Sequence, residues 1–155
     1  MTRKDNILGR LIRTVQLLGD LSDEFIFVGG SVVPILVTDE AAPDARPTVD
    51  VDVVVQVFTR SGYYNIEKRL ANVGFHLSVL ESVICRFKNG DIILDVMPTD
   101  KEILKFGNRW YKQAASGPIV YPCLRIALLK LLTLLYFFAP NLMPMKIADI
   151  KTKKI

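Results

Sequence analysis

The chain has 155 residues, half of them hydrophobic and 23% charged, which is enough for one domain with a buried core and argues against a disordered polypeptide. Its formal net charge is +4, but three of the positives, Lys151, Lys153 and Lys154, crowd the last residues, so basicity argues only weakly for a nucleic-acid partner. Two cysteines, Cys85 and Cys123, no CxxC spacing and a single histidine, His76, argue against structural zinc and a histidine-based triad.

Met1 to Asn6 is polar and no cleavable apolar run follows it, so with this cysteine usage a cytoplasmic location is expected. Ile7, Leu8, Leu11, Ile12, Val15, Leu18 and Leu21 recur at helical spacing and predict an amphipathic helix ending near Gly19. Phe25 to Val28 reads as a short buried strand stopped by Gly29-Gly30-Ser31, and Val32 to Val37 as the start of a helix. Thr38 to Thr48 has the composition of an exposed loop. Val49 to Phe58 is a valine-rich strand, and Tyr63 to Val73 a helix that Gly74 ends as a left-handed cap. Phe75 to Leu80 and Val83 to Lys88 read as strands. Asn89-Gly90 is the strongest hairpin signal, with Asp91 to Met97 returning as the partner strand. Asp100 to Ala115 is expected to be helical in part. This order predicts an α+β domain, a mixed β-sheet with helices packed on it, and the hairpin argues against an all-parallel, doubly wound sheet.

The chemistry concentrates in three places. On a strand, residues i and i+2 share a face, so Asp50 and Asp52 project together while Val49, Val51 and Val53 project to the other side. Adjacent carboxylates repel unless a cation bridges them, and magnesium (or manganese) with its oxygen preference suits that need. Asp95 lies in the otherwise apolar run Ile93 to Met97, where a lone carboxylate is costly to bury. If its strand lies beside the Asp50/Asp52 strand, three carboxylates converge in the arrangement used for in-line phosphoryl or nucleotidyl transfer. The competing reading pairs Asp95 with Arg86 or Lys88 across the hairpin. Gly29, Gly30 and Ser31 supply a phosphate end: glycines allow close backbone approach, the following helix start offers free N–H groups, and Ser31 adds a hydroxyl.

Gly-Gly-Ser, then Asp-x-Asp on a strand, then a later Asp on an apolar strand resembles the DNA polymerase β-like nucleotidyltransferase superfamily. The longer segments Phe27 to Ser31, Ala42 to Asp52, Ile84 to Arg86, Leu94 to Asp100 and Gly107 to Tyr111 resemble the bacterial AbiEii/MenT-like nucleotidyltransferases, many of them toxins of toxin–antitoxin pairs. The resemblance covers roughly residues 5 to 115. It implies a nucleotidyltransferase fold in which Gly30 and Ser31 hold the triphosphate, Asp50 and Asp52 ligate magnesium, and Asp95 completes the metal site or acts as base on the incoming hydroxyl. Arg46 is a weaker candidate for phosphate contact. The implied partners are an NTP, a tRNA 3′ end or protein as acceptor, and a cognate antitoxin. The competing functional reading is an inactive remnant or binding module that keeps the core, and a third is a small-molecule nucleotidyltransferase.

Two features depart from the family. Val32 to Val49 is a long separation between Ser31 and Asp50. The family's C-terminal helix, with its nucleotide-contacting lysine, has no counterpart in residues 122–155. The chain therefore divides into a core over 1–120 and an atypical tail over 121–155. Codons compatible with Lys130 to Lys146 can spell a family-like helix in a shifted frame, which reads the tail as an out-of-frame translation and denies Lys130 the family role. Leu124 to Phe138 is short for a membrane span and apolar on nearly every face. It is expected to form a helix that drives self-association through Leu128, Leu131, Leu132, Leu135 and Phe138.

Overall fold

The computed structural model describes residues 3–36, 47–79, 83–108, 111–116, 119–123 and 127–131. Most of the 38–48 loop, including Arg46, and everything after 131 lie outside the described residues.

The sequence-predicted α+β class holds: helices pack on a mixed sheet. The elements are α1 (Arg3–Leu18), β1 (Phe25–Val28), α2 (Val33–Leu36), β2 (Asp50–Val55), α3 (Arg60–Asn72), β3 (His76–Leu77), β4 (Arg86–Asn89), β5 (Ile92–Pro98), α4 (Lys101–Leu104), α5 (Tyr111–Ser116), β6 (Ile119–Cys123) and β7 (Ala127–Leu131). The strands order as β3-β4-β5-β2-β1-β7-β6. β2 runs parallel to β5 and antiparallel to β1, and β4 is antiparallel to β5.

Alternation along the strands gives the sheet two unlike faces. On one, Val51, Val53, Val55, Phe25, Phe27, Phe87, Leu94 and Val96 pack against Leu11, Val15 and Leu18 of α1 and Tyr63, Ile66 and Leu70 of α3. This is the main core, and its apolar burial is what holds the helices down. On the other, Ile26, Val28, Val54, Cys85 and Met97 form a smaller cluster with Tyr111 and Ala115 of α5 packed against it. The aspartates lie on this second face.

Helix α3 is closed at both ends by local chemistry. The Thr59 hydroxyl accepts from the Gly62 N–H at 3.0 Å, as an N-cap residue does. At the other end Gly74 N–H donates to Ala71 and Phe75 N–H to Leu70, a Schellman motif in which Leu70 and Phe75 are both fully buried. Gly74 sits at φ 86, and a Cβ there would lie 2.8 Å from Asn89 Nδ2. Gly74→Ala is therefore expected to lower unfolding stability by about 1–2 kcal/mol. A urea midpoint equal to that of the parent protein would mean that the cap contributes nothing.

Three sequence expectations need correcting. The hairpin turn is Gly90-Asp91, because Asn89 still pairs with Ile92 and only Gly90, at φ 59, takes the left-handed conformation. This is the pattern of a II′ turn, not an Asn-Gly turn. The strands expected over 75–80 and 83–88 are shorter, since the chain leaves the sheet edge after Leu77 and Val79 is 84% exposed. Finally, Ala127–Leu131 is a strand, where a helix was expected over Leu124 to Phe138. It pairs parallel with β1 at Ile26 and Phe27 and antiparallel with β6. The edge of β1 not used by β2 offers unpaired N–H and C=O groups, and meeting them outweighs the helical preference of leucine. The helical face expected to drive self-association is thus not formed at Leu128 and Leu131. β6 also runs across the boundary placed at 120/121, which builds the described part of the tail into the sheet. Among the described residues, no helix is long and apolar enough to cross a membrane.

Candidate active site

Strand pairing brings the three aspartates onto one face. Asp52 lies opposite Val28 of β1 on one side and opposite Asp95 of β5 on the other, and Asp95 lies opposite Arg86 of β4. Val28, Asp52, Asp95 and Arg86 thus form one row across four strands. Asp50, two residues before Asp52, joins the same face.

Arg86 holds the cluster together. Its Nε and one terminal nitrogen donate to the two oxygens of Asp95 at 2.8 and 2.7 Å, and that same terminal nitrogen donates to Asp50 Oδ2 at 2.9 Å. The side chains are largely enclosed, with exposures of 17% for Arg86, 10% for Asp95 and 26% for Asp50. A bidentate guanidinium–carboxylate pair in such surroundings is strong and directional. The Arg86–Asp95 pairing weighed from sequence is therefore present, and it exists alongside the convergence of aspartates rather than instead of it.

Asp50 has a second anchor. Arg10 of α1 donates to the Thr48 carbonyl at 2.7 Å, and the Thr48 hydroxyl donates to Asp50 Oδ1 at 2.6 Å. These two positioning residues were not foreseen from sequence. A threonine two residues before an aspartate is a local hydrogen-bonding signal that could have found Thr48. Nothing in the sequence places Arg10 beside it.

Asp52 is set differently from its neighbours. Burial first, then the charges of Asp50 and Asp95, push its carboxyl up to about 7, with Arg86 acting in the opposite direction. Three carboxylates against one guanidinium leave the ionised cluster with an excess of negative charge, and Asp52 bears the consequence. Beside it, Gly29 adopts φ 75 and ψ −161, a region open essentially to glycine alone. A Cβ on Gly29 would overlap Asp52 Oδ2 and lie 3.0 Å from its Cγ. Gly29 thus packs directly against the carboxylate. Gly30 faces Thr48, 3.3 Å from where a Cβ would stand. Ser31 is buried, and its hydroxyl donates to the Val28 carbonyl at 3.3 Å. A ligand would therefore meet Ser31 through its hydroxyl only after that bond is released.

Cys85 is a buried free thiol, as its apolar context implies. Burial and the nearby Asp95 push it up to about 11, which leaves it unreactive at neutral pH. Tyr111 of α5 donates to Met97 Sδ at 2.9 Å, and burial followed by the field of Asp52 pushes its phenol up to about 12.

The donor set suits magnesium or manganese in type and charge: oxygen ligands only, with negative charge in excess. Among the described residues no three such groups stand in a ready ligand arrangement, and Arg86 occupies the space between Asp50 and Asp95. A separate cleft of about 340 Å³ is lined by Arg60, Ser61, Tyr63, Tyr64, Glu67 and Leu104. It shares no residue with the aspartate cluster and concentrates no comparable chemistry. Comparison with known proteins finds no matching family model, no matching curated protein and no matching solved structure.

Proposed function

We propose that the chain is a metal-dependent nucleotidyltransferase that moves a nucleoside monophosphate from an NTP to an acceptor hydroxyl, on a tRNA 3′ end or a protein. The observation that carries this reading is the register of Asp52 with Asp95 on neighbouring parallel strands, with Asp50 on the same face and Gly29 against Asp52. In this reading the acceptor oxygen forms a bond to the α-phosphorus, the bond from that phosphorus to the bridging oxygen breaks, and pyrophosphate leaves. Asp50, Asp52 and Asp95 would hold magnesium, which supplies Lewis-acid stabilisation of phosphate charge. The chain's own groups position the rest. Arg10 and Thr48 fix Asp50, Gly29 and Gly30 would let a triphosphate approach the backbone, and Asp95 is the alternative base for the acceptor's proton where it does not ligate the metal.

A second reading is favoured by one observation. Arg86 already bridges Asp50 and Asp95, as expected of an inactive module in which a guanidinium has taken over the cation's place. Labelled NTP separates the two readings. Transfer of labelled NMP to RNA or protein, with pyrophosphate released and with loss of transfer on chelation, is expected of the enzyme. NTP binding without transfer to any acceptor would identify the module. Turnover that needs no macromolecule would point instead to a small-molecule acceptor. A toxin role and an antitoxin partner belong to the same proposal and rest on the family resemblance, while cytoplasmic residence is proposed from the cysteine usage.

A further inference from the structure

We infer that Arg86 is a displaceable internal cation that makes metal binding conditional on the triphosphate. The inference rests on the reading of Asp50, Asp52 and Asp95 as the metal site. In the described structure the guanidinium engages both oxygens of Asp95 and one of Asp50. Two of the three ligands are thus occupied by a group with fixed positive charge, and a divalent ion arriving alone must compete with it. A triphosphate changes that competition. It offers several negative oxygens in the forked geometry that a guanidinium binds well. It would approach along Gly29 and Gly30, beside Asp52 and just past Val28, where the cross-strand row that runs through Asp52 and Asp95 to Arg86 begins. Rotation of the Arg86 side chain from the carboxylates to a phosphate frees Asp50 and Asp95 for the metal at the moment the nucleotide arrives. Free metal is then held poorly, and metal with nucleotide is held well. Arg86 is thereby a positioning residue in the resting state and a phosphate contact in the loaded one.

The test is manganese binding to the full chain, followed by loss of the free-ion paramagnetic resonance signal, with and without a non-transferable NTP analogue. The parent protein is expected to bind manganese weakly alone and at least about tenfold more tightly with the analogue. Arg86→Gln is expected to bind manganese alone at least about tenfold more tightly than the parent, and to lose most of the added effect of the analogue. If Arg86→Gln binds manganese alone no better than the parent, Arg86 does not compete and the inference fails while the metal site stands. Tight binding to the parent without nucleotide has the same meaning. If neither protein binds manganese under any condition, the metal site itself fails and the inference with it. Should Arg86→Gln not fold, Arg86→Lys keeps the charge but loses the fork. It is then expected to bind manganese alone more tightly than the parent and to gain less from the analogue, and parent-like behaviour with and without the analogue overturns the proposal.

Discussion

Asp52→Asn is expected to stabilise the metal-free protein at about pH 8 while reducing nucleotidyl transfer by about 10²–10³-fold or more. Both effects come from removing the Asp52 negative charge, the loss of transfer following from its proposed role as a magnesium ligand. The folded protein holds the Asp52 proton up to about pH 7, against an ordinary value of 3.8. Between those limits the folded state binds one more proton than the unfolded chain, so each rise in pH favours unfolding. The stability linked to that proton is fully present below about pH 4 and is lost as pH rises through about 7. The loss is on the order of 2–4 kcal/mol for a half-buried carboxyl with this shift. An amide carries no charge at any pH and escapes it. Urea titrations of both proteins from about pH 4 to 8.5 should show a gap in favour of Asp52→Asn that widens to about pH 7 and then levels off. A gap that does not change with pH would remove the burial argument, and unchanged transfer would remove Asp52 from the mechanism.

Gly29→Ala is expected to cost about 2–4 kcal/mol of stability, and manganese binding in the presence of nucleotide with it. Part of the cost is the backbone, since φ 75 with ψ −161 strains any residue that carries a Cβ by about 1–3 kcal/mol. The rest is contact. The added methyl overlaps Asp52 Oδ2 and crowds Cγ at 3.0 Å and Cβ at 3.2 Å, so turning the carboxylate aside does not clear it. The two parts separate in a double-mutant cycle. In an Asp52→Ala background, which removes the Oδ2 and Cγ overlaps and keeps only the 3.2 Å contact with Cβ, Gly29→Ala should cost less, close to the backbone part. An equal cost in both backgrounds would show that Gly29 is selected for its backbone conformation and not for its closeness to the carboxylate.

The sequence was most legible where short-range rules decide the outcome. Phe25 to Val28 forms β1 with the expected limits because an apolar run of that length before two glycines has few alternatives. The shared face of Asp50 and Asp52 follows from the two-residue strand period, and the Gly74 cap from its place after α3. The expectation that Asp95 would lie beside them was conditional on strand order, and β5 does lie next to β2. Legibility ended where one residue of register mattered. With Asn89-Gly90 as the two turn residues, Arg86 would face Ile93. With Gly90-Asp91 it faces Asp95, and the cation of the cluster appears. Pairing between Arg86 and Asp95 was conceivable from sequence, but the extension of that guanidinium to Asp50 was not, because it depends on a neighbouring strand 36 positions away. The strand at Ala127–Leu131 was missed for a related reason. Leucine and lysine favour a helix locally, and only the free edge of β1 reveals the alternative.

The arginine also bears on the order in which the molecule assembles. Arg86 and Asp95 are 9 positions apart in one hairpin, while Arg86 and Asp50 are 36 apart. Short loops close sooner than long ones, so the nearer pair has the kinetic advantage. Asp95 can then dock against β2 with its charge already matched, and never has to enter the apolar sheet as a bare anion. Asp50 meets the same guanidinium on docking, which ties alignment of the two parallel strands to an electrostatic contact as well as to side-chain packing. A slip of the hairpin by one residue would carry an unmatched carboxylate inward, and that penalty rejects the wrong alignment while the sheet is still forming.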